Sequence, residues 1–425
     1  MKNIFILGAG LSGLSLAYHL QKKKIDCQIF EKENEIGGLA RSKRISGFCF
    51  DYAGHLLHFR DKKLFSFVKG LLGDNLIRHK RNASIYSFRK FVPYPFQANL
   101  FALPQKIKED CLKGFIDTGE HKINNNFQDW VIEKFGKGIA RYFMLPYNHK
   151  FWTIPLKELT YLWVDRLIPV PSFREIIEGA KGKLDKNFGY NVFFWYPRNG
   201  ICELPLALSK EVKNIFTDCK IKEIDLKNKK IKLANNTWER FTYLFSTIPL
   251  PELMDLIKNI PKEMVYSYKK LRWNSIFNLN LGIDGEIKLP YHWIYFPEKK
   301  ISFYRIGFFH NLSSELVPQR KSSLYIEISY SESKPINKKE IVFRAIKDLI
   351  RIGILKKEDQ ILVKDINDIE YGYPIYDFDY PQARENTLNY LKENNLISFG
   401  RYGSWRYMSM EDVLAEGKIL AMSLK

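Results

Sequence analysis

The sequence predicts an α/β fold: a discontinuous parallel-sheet domain that carries a mainly helical insertion and an antiparallel β-sheet insertion. Three observations point there. A glycine-rich turn joins a strand to a helix at the amino terminus. A largely helical pattern runs from Pro95 to about Ala180. Strand-rich sequence then fills residues 270–335, and the chain ends by returning to a strand and a helix. With 425 residues the chain is too long for one ordinary core, so two or three domains are expected.

The first element is a strand over Asn3–Leu7. It leads into Gly8-Ala9-Gly10-Leu11-Ser12-Gly13 and a helix to about Lys24. A secretory leader would end in a small-residue cleavage site, whereas this apolar run meets Gln21-Lys22-Lys23-Lys24. A second strand, Asp26–Phe30, ends at Glu31, 18 positions after Gly13. Each part has a physical task. Gly8 allows the tight turn, Gly10 lets backbone approach a pyrophosphate, and Gly13 lets the helix pack on the sheet. Free N–H groups at the helix start meet phosphate, and Glu31 accepts from ribose hydroxyls. This is a Rossmann-type dinucleotide site. The following segment carries Gly37-Gly38-Leu39-Ala40-Arg41, a loop suited to wrapping a long, extended cofactor, which points to FAD rather than NAD. No second GxGxxG is seen, so no separate NADPH domain is expected.

The remaining elements follow in order. A helix is expected over Lys63–Leu72 and a strand over Ala83–Phe88. Gln128–Phe135 and Gly138–Leu145 are short amphipathic runs, and Ile168–Pro171 breaks the helical block. Val192–Tyr196 reads as apolar strand, Ile201–Val212 as helix, and Lys220–Asp225 with Lys230–Leu233 as a β-pair. Tyr243–Ser246 completes the parallel sheet. Ser275–Leu281, Tyr291–Phe296, Ser302–Phe309 and Ser323–Tyr330 supply the antiparallel insertion. A helix spans 339–352, a final strand Ile397–Arg401, and a terminal helix starts near Glu411. The domains expected are 1–90, 191–255 and 385–425 for the FAD-binding domain, 91–190 for the helical domain, and 256–384 for the antiparallel sheet.

Composition narrows the function. Hydrophobic residues make up 45%, which excludes a mainly disordered chain. Cys27, Cys49, Cys111, Cys202 and Cys219 are scattered without a CxxC pair, which argues against a disulfide scaffold or a zinc site and fits a cytoplasmic, reducing compartment. No metal site and no transmembrane run are expected. The net charge is +20. The lysines gather at helix ends and turns (Lys22–Lys24, Lys227–Lys230, Lys299–Lys300), not in a stripe interleaved with aromatics, so nucleic acid is not the expected partner. Weak attraction to an anionic membrane surface stays compatible with it.

Islands along the chain carry a more specific message. They include Phe50-Asp51-Tyr52-Ala53-Gly54-His55, Val92-Pro93-Tyr94-Pro95-Phe96-Gln97 and Pro146-Tyr147-Asn148-His149-Lys150-Phe151-Trp152. Further on come Tyr295-Phe296-Pro297-Glu298, Phe303-Tyr304-Arg305, Gly372-Tyr373-Pro374 and Gly400-Arg401-Tyr402-Gly403-Ser404-Trp405-Arg406-Tyr407. In order and spacing they resemble the UDP-galactopyranose mutase-like flavoenzyme family, within the amine oxidase/protoporphyrinogen oxidase-like FAD-binding group. The resemblance implies an isomerase for surface polysaccharide biosynthesis. Reduced FAD would attack the anomeric carbon of a UDP-sugar, and pyranose and furanose rings would interconvert without net redox change.

On that resemblance the diphosphate falls to Arg305 and Arg166 as cations and to Tyr295, Tyr373 and Tyr407 as hydroxyl donors. Tyr94, Phe96, Gln97, Asn148 and Trp152 match the uracil and ribose pocket. His55, after Gly54, would tune the flavin, with Gly38, Leu39, Arg41 and Arg401 also facing the cofactor. Departures exist. Ala53-Gly54 stands where the family usually has Gly-Gly. Met408-Ser409-Met410-Glu411-Asp412 replaces a segment rich in Asn, Gln and Asp. Tyr196-Pro197-Arg198-Asn199-Gly200 lacks a paired glycine. Two rivals follow: an FAD-dependent oxidoreductase of the amine oxidase/protoporphyrinogen oxidase type, and a non-catalytic protein that binds a nucleotide sugar or RNA.

Overall fold

The computed structural model describes residues 3–118, 125–165, 167–184, 186, 188–189 and 191–424. A five-stranded parallel sheet runs in the order Leu396–Ser398, Tyr243–Ser246, Ile4–Leu7, Gln28–Phe30, Ile215–Phe216. Ile4–Leu7 is buried throughout, as a central parallel strand covered on both faces must be. The helix Leu11–Lys22 packs between this sheet and the terminal helix Met410–Ser423. Gly13 makes the first contact close: any Cβ there would strike the Gly8 carbonyl. Ser409 starts the terminal helix with a capping box, accepting the Asp412 N–H at 3.2 Å.

The second sheet has seven strands, in the order Ile361–Pro374, Trp273–Asp284, Lys321–Tyr330, Arg305–Phe308, Trp293–Tyr295, Ala83–Ser87, Lys90–Pro93. Its composition corrects the expected domain limits. Ala83–Ser87, placed by sequence within the FAD-binding segment 1–90, instead pairs parallel with Trp293–Tyr295. Every residue of Ala83–Ser87 is buried, so this strand needs a neighbour on each face and finds it in the larger sheet. Ile361–Pro374 is a 14-residue strand absent from the sequence reading. Tyr380–Glu393 is an unexpected helix that crosses the expected boundary at 385 and docks on Leu396–Ser398 and on Lys262–Tyr268. The strand expected over Ile397–Arg401 ends at Ser398, and Gly400–Gly403 forms a helical turn that carries Arg401.

The helical segment holds the helices Gln105–Ile116, Phe127–Ile139, Leu145–Trp152 and Phe173–Ala180. The second kinks at Gly136, where φ is +73°. A side chain there would collide with the Gly114 carbonyl, so glycine permits two helices to cross at backbone distance. Ala140–Met144 is a π-helical stretch leading into Leu145–Trp152. Among the described residues no helix is long and apolar enough to cross a membrane.

Candidate active site

A single cavity of about 910 Å³ starts at the glycine-rich turn, passes the Ala53-Gly54-His55 loop and ends among aromatics of the helical segment. At its first end Glu31 is 7% exposed. Its Oε2 accepts the Ala9 N–H at 2.7 Å and its Oε1 the Glu33 N–H at 3.0 Å. One lone pair on each oxygen stays available for ribose hydroxyls. Gly10 and Gly37 form a parallel bridge that brings the second glycine loop against the first. Arg41 donates from Nε to the Gly38 carbonyl at 2.7 Å, and its guanidinium lies 4.8 Å over the Tyr52 ring. Gly8, Gly10, Gly38, Leu39 and Arg41 all line the cavity; Gly13 lies beneath it as a packing residue.

The middle of the cavity is set by the loop. Asp51 offers its carbonyl to Asn280 Nδ2 at 3.1 Å, Ala53 donates its N–H to Asn278 Oδ1 at 3.2 Å, and Gly54 donates to Glu327 Oε1 at 3.4 Å. Ala53 adopts φ +68°, a left-handed conformation costly for a residue with a Cβ. His55 has its pKa pushed down to about 4, by desolvation first and by the Arg401 charge second, so its imidazole is neutral at pH 7. Arg401 donates to the Met408 carbonyl at 3.1 Å and lies 4.9 and 4.7 Å over the Tyr373 and Tyr407 rings.

Beyond the loop, Arg305 is ion-paired. It is not a free cation: Nη2 donates to Glu327 Oε1 at 2.8 Å, Nε donates to Oε2, and Glu327 is 2% exposed. The fork therefore turns only its outer edge to the cavity. Tyr373 stacks on Tyr407 with centroids 6.1 Å apart. Burial raises the pKa values of Tyr295 and Tyr373, so both remain hydroxyl donors. Arg166 lies outside the described residues.

At the far end Gln97 is 1% exposed and donates Nε2 to the Pro169 carbonyl at 2.6 Å, leaving Oε1 without a partner. Tyr94 lies 5.5 Å from Tyr295 and under the Arg81 guanidinium, 4.7 Å away. Asn148 donates to the Met144 carbonyl at 2.8 Å. Phe96 corrects one expectation. Its ring is fully buried, stacked on Phe143 at 5.0 Å, and does not line the cavity. Phe143, presented by the π-helical stretch, takes the wall position. Sequence reasoning also missed Glu327, Asn278 and Tyr304 as cavity or loop contacts. The signal for Glu327 was a lone acid inside Tyr325-Ile326-Glu327-Ile328.

The lining of the cavity suits FAD. His55 Nδ1, Gln97 Oε1, Trp152 Nε1, Trp293 Nε1, Tyr304 OH and Arg401 Nε are buried, lack hydrogen-bond partners and belong to its lining residues. Buried polar atoms are seldom left so, and their spread along the cavity marks where ligand atoms sit.

Comparisons with known proteins agree with this geometry. The family model for an NAD(P)-binding Rossmann-like domain matches residues 6–71. A dTDP-fucopyranose mutase of Escherichia coli is 24% identical over 216 residues, 48% of this chain and 53% of that protein. A 4,4'-diaponeurosporene oxygenase of Staphylococcus aureus is 26% identical over 130 residues, 30% of this chain and 23% of that one. The chain thus spans about half the length, or less, of these curated relatives. The crystal structure of a reduced UDP-galactopyranose mutase superposes with a TM-score of 0.94 at 26% identity, over 100% of this chain and 97% of that one. A putative protoporphyrinogen oxidase from Exiguobacterium gives 0.76 at 15% identity, over 100% and 98%, and shares the fold. Over its whole length the chain is thus similar to a UDP-galactopyranose mutase, with FAD as the cofactor, and it shares its fold with a protoporphyrinogen oxidase and a putrescine oxidase.

Proposed function

We propose that this protein is an FAD-dependent nucleotide-sugar mutase that interconverts the pyranose and furanose forms of a UDP- or dTDP-linked hexose for surface polysaccharide biosynthesis. One observation carries the reading. A continuous cavity joins the glycine-rich turn, the His55 loop, Arg305 with Tyr295, Tyr373 and Tyr407, and the side chains of Tyr94, Gln97, Asn148 and Trp152. When bound in its reduced state, FAD supplies the nucleophilic centre for exchange at the anomeric carbon. Tyr295, Tyr373 and Tyr407 donate to the leaving diphosphate, and Arg305, with Arg166, supplies guanidinium contacts. Gln97 accepts the ring N–H of uracil or thymine at Oε1, since its amide nitrogen is committed to Pro169. Tyr94, Asn148 and Trp152 shape the same pocket. Neutral His55 and cationic Arg401 would stand beside the flavin and tune its charge. The expected compartment is the cytoplasm, in keeping with five free cysteines.

A net oxidoreductase needs no diphosphate clamp, which sets that rival second. The test is direct: reduce the flavin-loaded protein with dithionite and offer UDP-galactopyranose and dTDP-fucopyranose. Furanose product formed by reduced but not oxidised enzyme supports the reading. Reduced, flavin-loaded enzyme that binds no UDP and converts neither sugar overturns it.

A further inference from the structure

The antiparallel sheet places five polar side chains in one register row across five strands. Tyr295 pairs with Arg305, Arg305 with Glu327, Glu327 with Asn278, and Asn278 with Asn367. Residues directly opposite in register project from the same face. This row therefore underlies the cavity at the level where the clamp meets the loop.

Two members of the row hold consecutive N–H groups of that loop. Asn278 Oδ1 takes Ala53 and Glu327 Oε1 takes Gly54. The loop has no slack here, because a Cβ at Gly54 would strike the Tyr325 hydroxyl. Glu327 Oε1 also takes Arg305 Nη2 at 2.8 Å, so one oxygen serves both the diphosphate cation and the backbone before His55. A diphosphate drawn to the outer edge of Arg305 competes with Glu327 for that guanidinium. As the pair loosens, Oε1 is freed to hold Gly54 more tightly.

We infer that Glu327 is a positioning residue that links nucleotide binding at Arg305 to the state of the His55 loop, and through it to the flavin. This rests on the function proposed above. Linkage is reciprocal: if nucleotide changes the flavin's potential, flavin reduction changes nucleotide affinity by the same factor.

The experiment uses flavin-loaded full-length protein with UDP as the probe. UDP affinity is measured for the oxidised and reduced forms, and the flavin midpoint potential with and without saturating UDP. For the wild type, affinities differing by about tenfold between the two forms are expected, a shift of about 30 mV for a two-electron couple. In Glu327→Gln the difference should fall to within about twofold, with flavin content kept and UDP still bound. A difference as large as in wild type, or none in wild type, overturns the inference. Should Glu327→Gln fail to retain flavin, Asn278→Ala cuts the neighbouring Ala53 anchor and leaves the Arg305–Glu327 pair intact. Reduced linkage with unchanged affinity in the oxidised form then supports the coupling, and unchanged linkage refutes it. Wild-type protein that binds UDP in neither form removes the functional reading itself, and this inference with it.

Discussion

Arg305 shows how a residue's role changes once its neighbours are known. The motif Phe303-Tyr304-Arg305 identifies a cation for a diphosphate, and nothing in it announces Glu327, 22 residues away. Breaking a buried pair by removing one partner leaves the other charge uncompensated. Arg305→Ala should therefore destabilise the fold by roughly 3 kcal/mol as well as weaken UDP binding. Adding Glu327→Ala should restore much of that stability without restoring UDP affinity. Denaturant midpoints and UDP titrations on the single and double variants check both halves. Ala53 is the converse case. Its φ of +68° favours glycine, yet its methyl packs with Ile276, Tyr304 and Ile369. Ala53→Gly relieves strain and loses packing together, so stability should stay within about 1 kcal/mol of wild type. A larger change in the denaturant midpoint would show that one term dominates.

Elements differ in how legible they were. The strand–turn–helix at the amino terminus was readable because glycines and an acid stand at fixed offsets around an apolar strand. The strand Ile361–Pro374 was not, and its burial explains why. The buried face carries Asp365 and Asn367, while Leu362 and Ile366 are 49% and 47% exposed, so the usual alternation of apolar and polar faces is scrambled. That buried face is polar because Asn367 Nδ2 donates to Asn278 Oδ1 at 3.0 Å and Lys43 Nζ donates to Asp365 at 3.1 Å. Phe96 was misplaced for a similar reason: a π-helical stretch turns Phe143 into the position that motif order gave to Phe96. The crossing at Gly136 yields an element-scale prediction. Gly136→Ala forces a side chain onto the Gly114 carbonyl at a left-handed position. It should cost more than about 2 kcal/mol, read as a lowered denaturant midpoint with little change in flavin content per folded molecule. Ser409→Ala removes a helix cap and should cost about 1 kcal/mol by the same assay.

At the scale of the whole molecule, histidines set the response to acid. His19, His55, His58 and His292 are each held down to about 4, chiefly by burial, and burial also lowers His79, His149 and His310. The unfolded chain takes up protons on these groups near pH 6.5, whereas the folded chain resists to lower pH, until about 4 for His19, His55, His58 and His292. Stability is therefore present above 6.5 and is lost as pH falls through that window. Asp51, raised to about 6 by burial, and Asp377, raised by burial as well, work in the opposite direction, but they are two groups against seven. The urea midpoint should decline steadily as pH falls from 6.5 to 4; a midpoint unchanged between pH 7 and 5 would contradict this.

The strand order of the parallel sheet has a consequence for synthesis. Its strands come from residues 4–7, 28–30, 215–216, 243–246 and 396–398, so its central strand is among the first parts translated and one edge among the last. Arg401 and the helix Met410–Ser423, which covers the first helix, emerge later still. A ribosome-bound chain would finish the second sheet while the nucleotide-binding half still lacked an edge and a lid. Cofactor capture therefore belongs after translation of residue 423. Chains cut before residue 396 should accumulate without bound flavin, however well the antiparallel sheet has formed.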